Sequence, residues 1–392
     1  MLFSTIIIYS AILFISYILT RDIFHPSVIV CGMWTFLLVL YQVCDHPLWS
    51  LSDDFFIALS LWVIPFVFFS LVISKIPWKI GENRNCTFNL KLYNKIFPYV
   101  LLYVGIYVLT LFFYVGGLSI VDTKKMILNE ESRPFLFTIF LYLNVFLSVY
   151  VFYGILNYKQ IKFKRLILLV ALLLIVSLFK GNKTSFLSMF VGVCYALKYI
   201  RQFKFKYFLF IIAAIVGLLI LVSIARKDYD FESDSAIENF FYIYFLSPLT
   251  SFDLILHKEY SLDGGAPMSA TFSFFYKLLN AFGTNFDIAV LGEWVYVPLP
   301  NNVFTTLRPF YVDGGLPWIG IMACVLGTIW GFLYYYQKKG RTMHVVFYAL
   351  MVGTLFFQSF DDYFFRDLSL VFQNIFFIVL IVRGFKFTIA KS

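Results

Sequence analysis

The sequence predicts an all-α polytopic membrane protein with about eleven transmembrane helices, ten to twelve within the error of their boundaries, and one large external loop. Of the 392 residues, 61% are hydrophobic and only 14% are charged, whereas soluble domains carry about a quarter charged residues. Apolar runs approaching the roughly 20 residues needed to span a bilayer as a helix recur between short polar breaks. This composition excludes a soluble globular enzyme.

The predicted spans follow directly from those apolar runs. They are 2–19, 27–43, 55–73, 97–115, 135–156, 166–179, 185–197, 207–224, 316–336, 344–358 and 368–382. We expect them to form a single integral membrane domain over residues 1–392, with a large periplasmic loop at 225–315.

The charges predict the orientation of these spans. Basic residues in short loops stay on the cytoplasmic side of a membrane. One of the two alternating sets of loops holds 20 of the 31 basic residues but, of the 22 acidic residues, only Asp22 and Glu82. The C-terminus is therefore expected in the cytoplasm and, with eleven spans, the N-terminus in the periplasm.

The same charge distribution limits the possible partners and cofactors. Cytoplasmic lysines beside anionic lipid headgroups explain the net charge of +9 without a nucleic-acid partner, so membrane lipids are the expected contact. The five cysteines show no metal or disulfide spacing, and no Walker or Rossmann glycine pattern is present. We expect no metal, no cofactor and no ATP-driven transport.

The segment 225–315, about 91 residues long, is much longer than the other predicted loops. Loops of this length usually carry function. Within it, 240–256 and 271–282 are apolar and aromatic enough to be short amphipathic helices on or in the membrane interface.

The strongest local pattern is PLPNNVFTTLRPFYVDGG at 298–315. It resembles the signature of bacterial O-antigen polymerases of the Wzy type, which often read N-V-[YF]-T-x-x-R-P-[YF]-[YF]-x-D-x-G before a late transmembrane helix. The stretch departs from that signature at Gly314, where the family often has an aromatic residue, and at Pro317, which interrupts the run into the next helix.

The resemblance implies an inner-membrane glycosyltransferase of O-antigen or related lipopolysaccharide synthesis. Such a polymerase would transfer the growing glycan from undecaprenyl diphosphate to the next undecaprenyl-diphosphate-linked oligosaccharide, and would work with a chain-length regulator protein. The chemistry agrees, because no nucleotide sugar is present outside the inner membrane and the donor must already be activated on a lipid.

This reaction requires cations for the departing diphosphate, a base for the acceptor hydroxyl and a platform for sugar rings. Arg308 is the first candidate cation and Arg226 the second, although Arg226 also begins an ordinary charge run. The candidate bases are His257 and Asp313, and Asp313 has the alternative role of holding Arg308 by an ion pair. The candidate substrate-binding residues are Lys183, Asn302, Thr305, Tyr311 and Arg366.

Simpler interpretations exist for two of these cations. Lys183 lies in a tight turn between two spans, where a lysine also snorkels to the membrane surface. Arg366 stands four residues after Asp362, the spacing of an ion pair within one helix.

Three other activities remain open at this point. The acidic pairs Asp53-Asp54 and Asp361-Asp362 are compatible with a glycosyltransferase that uses a lipid monophosphate sugar, through a divalent metal or a base. A polysaccharide ligase shares the layout of spans and loop. A flippase for the lipid-linked unit is disfavoured because the centres of the spans are nearly free of charge and no inverted repeat is visible.

Overall fold

The computed structural model describes residues 1–78, 88, 90–115, 135–179, 183–201, 242–257, 265–289, 294–298 and 300–384. The described chain is mainly helical. The helices are α1 (Leu2–Thr20), α2 (Pro26–Val43), α3 (Asp53–Lys75), α4 (Leu90–Val115), α5 (Phe135–Leu156), α6 (Phe163–Phe179), α7 (Lys183–Tyr199), α8 (Ser247–Leu256), α9 (Ser273–Ala281), α10 (Leu307–Lys338), α11 (Thr342–Met351), α12 (Gly353–Phe356) and α13 (Leu368–Gly384).

Ten of the eleven predicted spans fall on described helices, and the eighth, 207–224, lies outside the described residues. Within the described part of the chain, six helices are long and apolar enough to cross a membrane: α1 to α5 and α10. The helices α7, α11 with α12, and α13 are shorter apolar segments. The chain is therefore a helical protein with several candidate membrane spans, and the count of eleven stays a prediction.

The predicted span 344–358 falls on two consecutive helices, α11 and α12, which end two residues before its predicted end. Helix α11 ends at Met351, a four-residue helix follows, and residues 357–367 form turns instead of continuing the helix. The physical reason lies in the sequence after Phe356, where Gln358, Asp361, Asp362 and Asp367 introduce polar groups that a lipid-facing helix does not accommodate.

The described chain divides into two compact units. The first comprises residues 1–79, 230–336 and 354–369. In this unit α3 begins at a strong local signal, because the Ser52 hydroxyl accepts a hydrogen bond from the Phe55 amide at 3.3 Å, and Asp53 and Asp54 occupy the first turn. Acidic residues there complement the partial positive charge of a helix N-terminus.

Glycines bring α10 close to α3 in the first unit. A Cβ atom built on Gly327 would lie 2.7 Å from the Phe66 carbonyl oxygen, and one on Gly331 would lie 2.9 Å from Cβ of Ile73. These contacts join increasing positions of both helices, so the two helices run parallel. Only glycine permits this separation of the two backbones.

The second unit comprises residues 80–229, 337–353 and 370–392. Its described part contains α4 to α7, α11 and most of α13. Two of its helices are joined by a reciprocal tyrosine pair, in which the rings of Tyr93 and Tyr150 stack at 4.1 Å and the Tyr150 hydroxyl donates to the Tyr93 carbonyl at 2.8 Å. Buried aromatic rings whose hydroxyls find partners pack well in such a core.

The sequence predicts an amphipathic interfacial helix in each of 240–256 and 271–282. The structure has a short helix in each, α8 and α9, but α8 is not interfacial. All ten residues of α8 are buried, so α8 is covered by protein on every side and has no lipid-facing side. Helix α9 has no buried residue, and Phe275, Leu278 and Leu279 are exposed. A two-stranded antiparallel ribbon, β1 (Val295–Tyr296) and β2 (Pro300–Asn301), precedes α10.

Candidate functional site

The sequence motif contains β2, the non-helical segment 302–306 and the first residues of α10, where Arg308 lies. Arg308 is the second residue of this helix and is only 4% exposed. Its guanidinium carbon lies 3.7 Å from the centroid of the Phe304 ring, a cation–π contact. The start of a helix favours anions rather than cations, so this arrangement concentrates a guanidinium and helix amide groups at one place.

The residues before Arg308 are fixed by local hydrogen bonds. The Asn301 side chain donates to the Ser251 hydroxyl at 2.7 Å and accepts from the Val303 amide at 3.1 Å. The Thr305 hydroxyl accepts from the Leu307 amide at 3.4 Å. Thr305 is fully buried and Asn302 is exposed, so the two predicted substrate-binding residues stand in opposite environments.

Asp313 joins α10 to the segment before α9. Its carboxylate accepts hydrogen bonds from the Ala270 amide at 3.2 Å and the Thr271 amide at 2.6 Å. The Trp318 indole donates to the Thr271 hydroxyl at 3.4 Å. Both oxygens of Asp313 are thus directed at backbone amides of the long loop, which is the geometry of a positioning residue.

A break in α10 separates Asp313 from the rest of the helix. Gly314 and Gly315 have non-helical backbone angles, and Gly315 has φ 66° and ψ −159°, a region open essentially only to glycine. The departure from the family signature at Gly314 thus falls at this break. A Cβ atom on Gly314 would lie 2.7 Å from Cβ of Trp318.

The turn at 357–367 packs against the same part of the motif. The Thr306 amide donates to the Gln358 carbonyl at 2.7 Å, and the rings of Phe310 and Phe365 lie 6.3 Å apart. These contacts bring the segment that holds Arg366 beside the segment that holds Arg308.

Arg366 is paired with Asp361, and not with Asp362 as its helical spacing had suggested. The reason is that residues 361–367 form a turn rather than a helix. The Asp362 carboxylate instead accepts from the Phe364 and Phe365 amides, both at 3.1 Å. Burial raises the pKa of Asp362 to about 7, helped by the neighbouring charge of Asp361.

A small cavity lies between the motif and this turn. Its lining includes Thr306, Trp330, Gln358, Asp361 and Asp362. The lining joins Thr306, which precedes α10, to Trp330 within α10, so the polar turn packs against both the motif and this helix.

His257 lies at the C-terminal end of α8, where its imidazole Nε2 is 3.8 Å from a carboxylate oxygen of Asp253. The His257 side chain is 43% exposed, while Asp253 is buried. Burial raises the pKa of Asp253, and its hydrogen bonds to Ser52 oppose this shift. An exposed imidazole thus lies close to a buried carboxylate.

The remaining predicted residues are distributed as follows. Tyr311 is half-buried and packs against an apolar cluster that includes Leu254 and Val297. Lys183 is the first residue of α7, in the second unit. The prediction for Arg226 lies outside the described residues. Within the described part of the chain, no three His, Cys, Asp or Glu side chains are grouped to hold a metal ion.

Sequence reasoning missed three residues that shape this region: Asn301, Asp253 and Gln358. Asn301 is adjacent to the chosen Asn302, and only the structure distinguishes them, because Asn301 is buried in β2 whereas Asn302 is exposed. Asp253 and Gln358 act through partners distant in the sequence, for which a single sequence holds no signal.

The fold places the chain in the class of helical proteins with several candidate membrane spans. Its distinguishing feature is a buried arginine, Arg308, at the start of a late apolar helix. No family model matches the chain, and no solved structure matches it. The chain is similar to a protein of Escherichia coli (strain K12) described as "Putative O-antigen polymerase". The two are 21% identical over an alignment of 391 positions, which covers 94% of this chain and 94% of the Escherichia coli protein.

Proposed function

We propose that this chain is a polymerase of lipid-linked oligosaccharide repeat units. It transfers the growing glycan from undecaprenyl diphosphate to a hydroxyl of the next undecaprenyl-diphosphate-linked unit, in the synthesis of O-antigen or a related surface polysaccharide. The distant similarity to the Escherichia coli protein extends over nearly the whole chain, which supports a common type of enzyme.

The observation that carries the proposal is the placement of Arg308. The guanidinium is buried, held against Phe304 and located at the first turn of α10. A departing diphosphate gains negative charge as the glycosidic bond breaks, and a guanidinium contacts two phosphate oxygens at once through its planar donors. In this proposal Arg308 stabilises that leaving group, and Arg366 of the same unit is a further contact to the lipid diphosphate. Arg226 and Lys183 stay predictions of the sequence.

His257 is the better of the two candidate bases. Its imidazole is exposed and lies 3.8 Å from a carboxylate oxygen of Asp253, and histidine is the side chain that most often acts as a general base in enzymes. Asp313 uses its oxygens on the Ala270 and Thr271 amides, so its role in the proposal is to hold the long loop against α10. Asn302 and Tyr311 are the proposed contacts to sugar.

The proposed location is the bacterial inner membrane, with the loop 225–315 in the periplasm and the C-terminus in the cytoplasm. In that orientation α9, whose apolar side chains are exposed, lies at the membrane surface. A chain-length regulator is the proposed protein partner.

A deletion strain tests the function. Loss of the gene is expected to leave surface polysaccharide with one repeat unit, while lipid-linked repeat units accumulate on the periplasmic leaflet. Accumulation on the cytoplasmic leaflet would instead identify a flippase. Long polymer that stays on the lipid carrier, without reaching its final acceptor, would identify a ligase. Either result would overturn the proposal.

A further inference from the structure

Gln358 connects three separate parts of the first unit through one buried side chain and its own carbonyl. Its side-chain oxygen accepts hydrogen bonds from the Trp34 indole at 3.2 Å and the Trp62 indole at 3.0 Å. An amide oxygen has two lone pairs, so these two donors use its full capacity. Both indoles are completely buried and belong to α2 and α3.

The third connection reaches the motif. The Gln358 carbonyl accepts from the Thr306 amide at 2.7 Å, and the Arg308 amide donates to the Thr305 carbonyl at 3.1 Å. Gln358 therefore holds the turn from which Arg308 enters α10. The side chain and the main chain of one residue fix the turn to α2 and α3.

A ring contact supports the same connection. Phe310, two residues after Arg308, stacks on Trp62 with ring centroids 5.3 Å apart and an angle of 21°. The hydrogen bond from Trp62 to Gln358 fixes the indole in its plane. The Trp62 ring, on which the start of α10 packs through Phe310, is thus held by the side-chain oxygen of Gln358.

We infer that Gln358 is a positioning residue for Arg308, acting through Thr306 and Trp62. This inference rests on the proposed role of Arg308 in glycan transfer. Removal of the side-chain acceptor leaves both indoles without it and loosens the segment whose main-chain carbonyl holds Thr306. Displacement of a catalytic group by about 1 Å is enough to lower a rate by about 100-fold.

The test compares Gln358→Met with a matched control. Methionine has a similar length and no amide oxygen. Gln337→Met removes a similarly buried glutamine, whose oxygen accepts from the Tyr195 hydroxyl at 2.5 Å in the second unit. Each variant is purified in lipid nanodiscs and examined in two ways, by hydrogen exchange of peptides covering 304–310 and by the polymerisation rate on lipid-linked oligosaccharide.

We expect Gln358→Met to speed exchange in 304–310 about tenfold or more and to lower the polymerisation rate about tenfold or more, with Gln337→Met changing neither. Gln358→Glu keeps an oxygen acceptor and is expected to retain more activity than Gln358→Met. Unchanged exchange in Gln358→Met, or the same change in Gln337→Met, would overturn the inference.

The exchange measurement separates this inference from the proposed function. Absence of polymer from the wild-type chain, together with faster exchange in Gln358→Met, would reject the polymerase and keep the placement of Arg308 by Gln358. Polymer from the wild-type chain with unchanged exchange in Gln358→Met would keep the polymerase and reject the placement of Arg308 by Gln358.

Discussion

The Asp253 carboxylate accepts a hydrogen bond from the Ser52 amide at 2.9 Å, although the two residues are 201 positions apart. The Ser52 hydroxyl donates to the other carboxylate oxygen. Ser52 caps α3, and Asp253 belongs to the buried helix α8. The long loop is therefore attached to the start of a candidate membrane span.

The first prediction concerns this attachment. Asp253→Ala leaves the Ser52 amide and hydroxyl without their acceptor, which costs on the order of 1–3 kcal/mol for a buried group. We expect a lower thermal midpoint in detergent and faster proteolysis within the long loop. Asp287→Ala, at an exposed position, is the control. Equal stability of the two variants would show that the attachment contributes little.

Asp313 offers a test that separates a positioning residue from a base. Asparagine keeps one acceptor oxygen for the Ala270 and Thr271 amides, whereas alanine keeps none, and neither residue removes a proton. We expect Asp313→Asn to retain clearly more polymerisation activity than Asp313→Ala. If both variants were equally inactive while folded, the interpretation of Asp313 as a base would be favoured instead.

The break in α10 depends on Gly315. Alanine at its backbone angles of φ 66° and ψ −159° is expected to cost about 1–3 kcal/mol and to displace Arg308 from its place. We predict that Gly315→Ala lowers both the thermal midpoint and the amount of long polymer. Gly320→Ala is the control, since a Cβ atom there meets only the Leu61 carbonyl at 3.9 Å. If Gly320→Ala lowered the thermal midpoint and the amount of long polymer to the same extent, the break at Gly315 would have no special role.

The buried turn predicts a pH dependence of stability. Burial raises the pKa of Asp362 from 3.8 to about 7, so the folded protein holds a proton that the unfolded chain releases above about pH 4. The protonated carboxyl therefore favours the folded state fully below about pH 4, and this contribution to stability is lost as the pH rises to about 7. We expect the free energy of unfolding to fall across this window by roughly 2–4 kcal/mol.

Asp362→Asn is the control for that pH dependence, because asparagine does not ionise. The slope between pH 4 and pH 7 is expected to become shallower but not flat, since burial also raises the pKa of Asp367 to about 6. The other charged groups at this turn are Asp361 and Arg366, which are paired with each other. An unchanged slope in Asp362→Asn would contradict a protonated Asp362.

The sequence predicted the helices well because apolar length and the distribution of charge are local properties. It placed the motif in the loop just before the span at 316–336, whereas α10 begins at Leu307 and includes the second half of the motif. It did not predict that Arg308 is buried against Phe304, or that Arg366 is paired with Asp361. The hydrogen bonds of Gln358 with Trp34 and of Asp253 with Ser52 are formed only in the tertiary fold. Such contacts depend on how helices pack, which periodicity along one chain does not encode.

The most direct test of the account is the length of surface polysaccharide made by Arg308 variants in a deletion strain. Arg308→Lys keeps the charge and loses the forked donor geometry, while Arg308→Ala loses both. With membrane levels equal to the wild type, we predict a single repeat unit from Arg308→Ala and shortened polymer from Arg308→Lys. Wild-type polymer from Arg308→Ala would contradict the central role of this guanidinium.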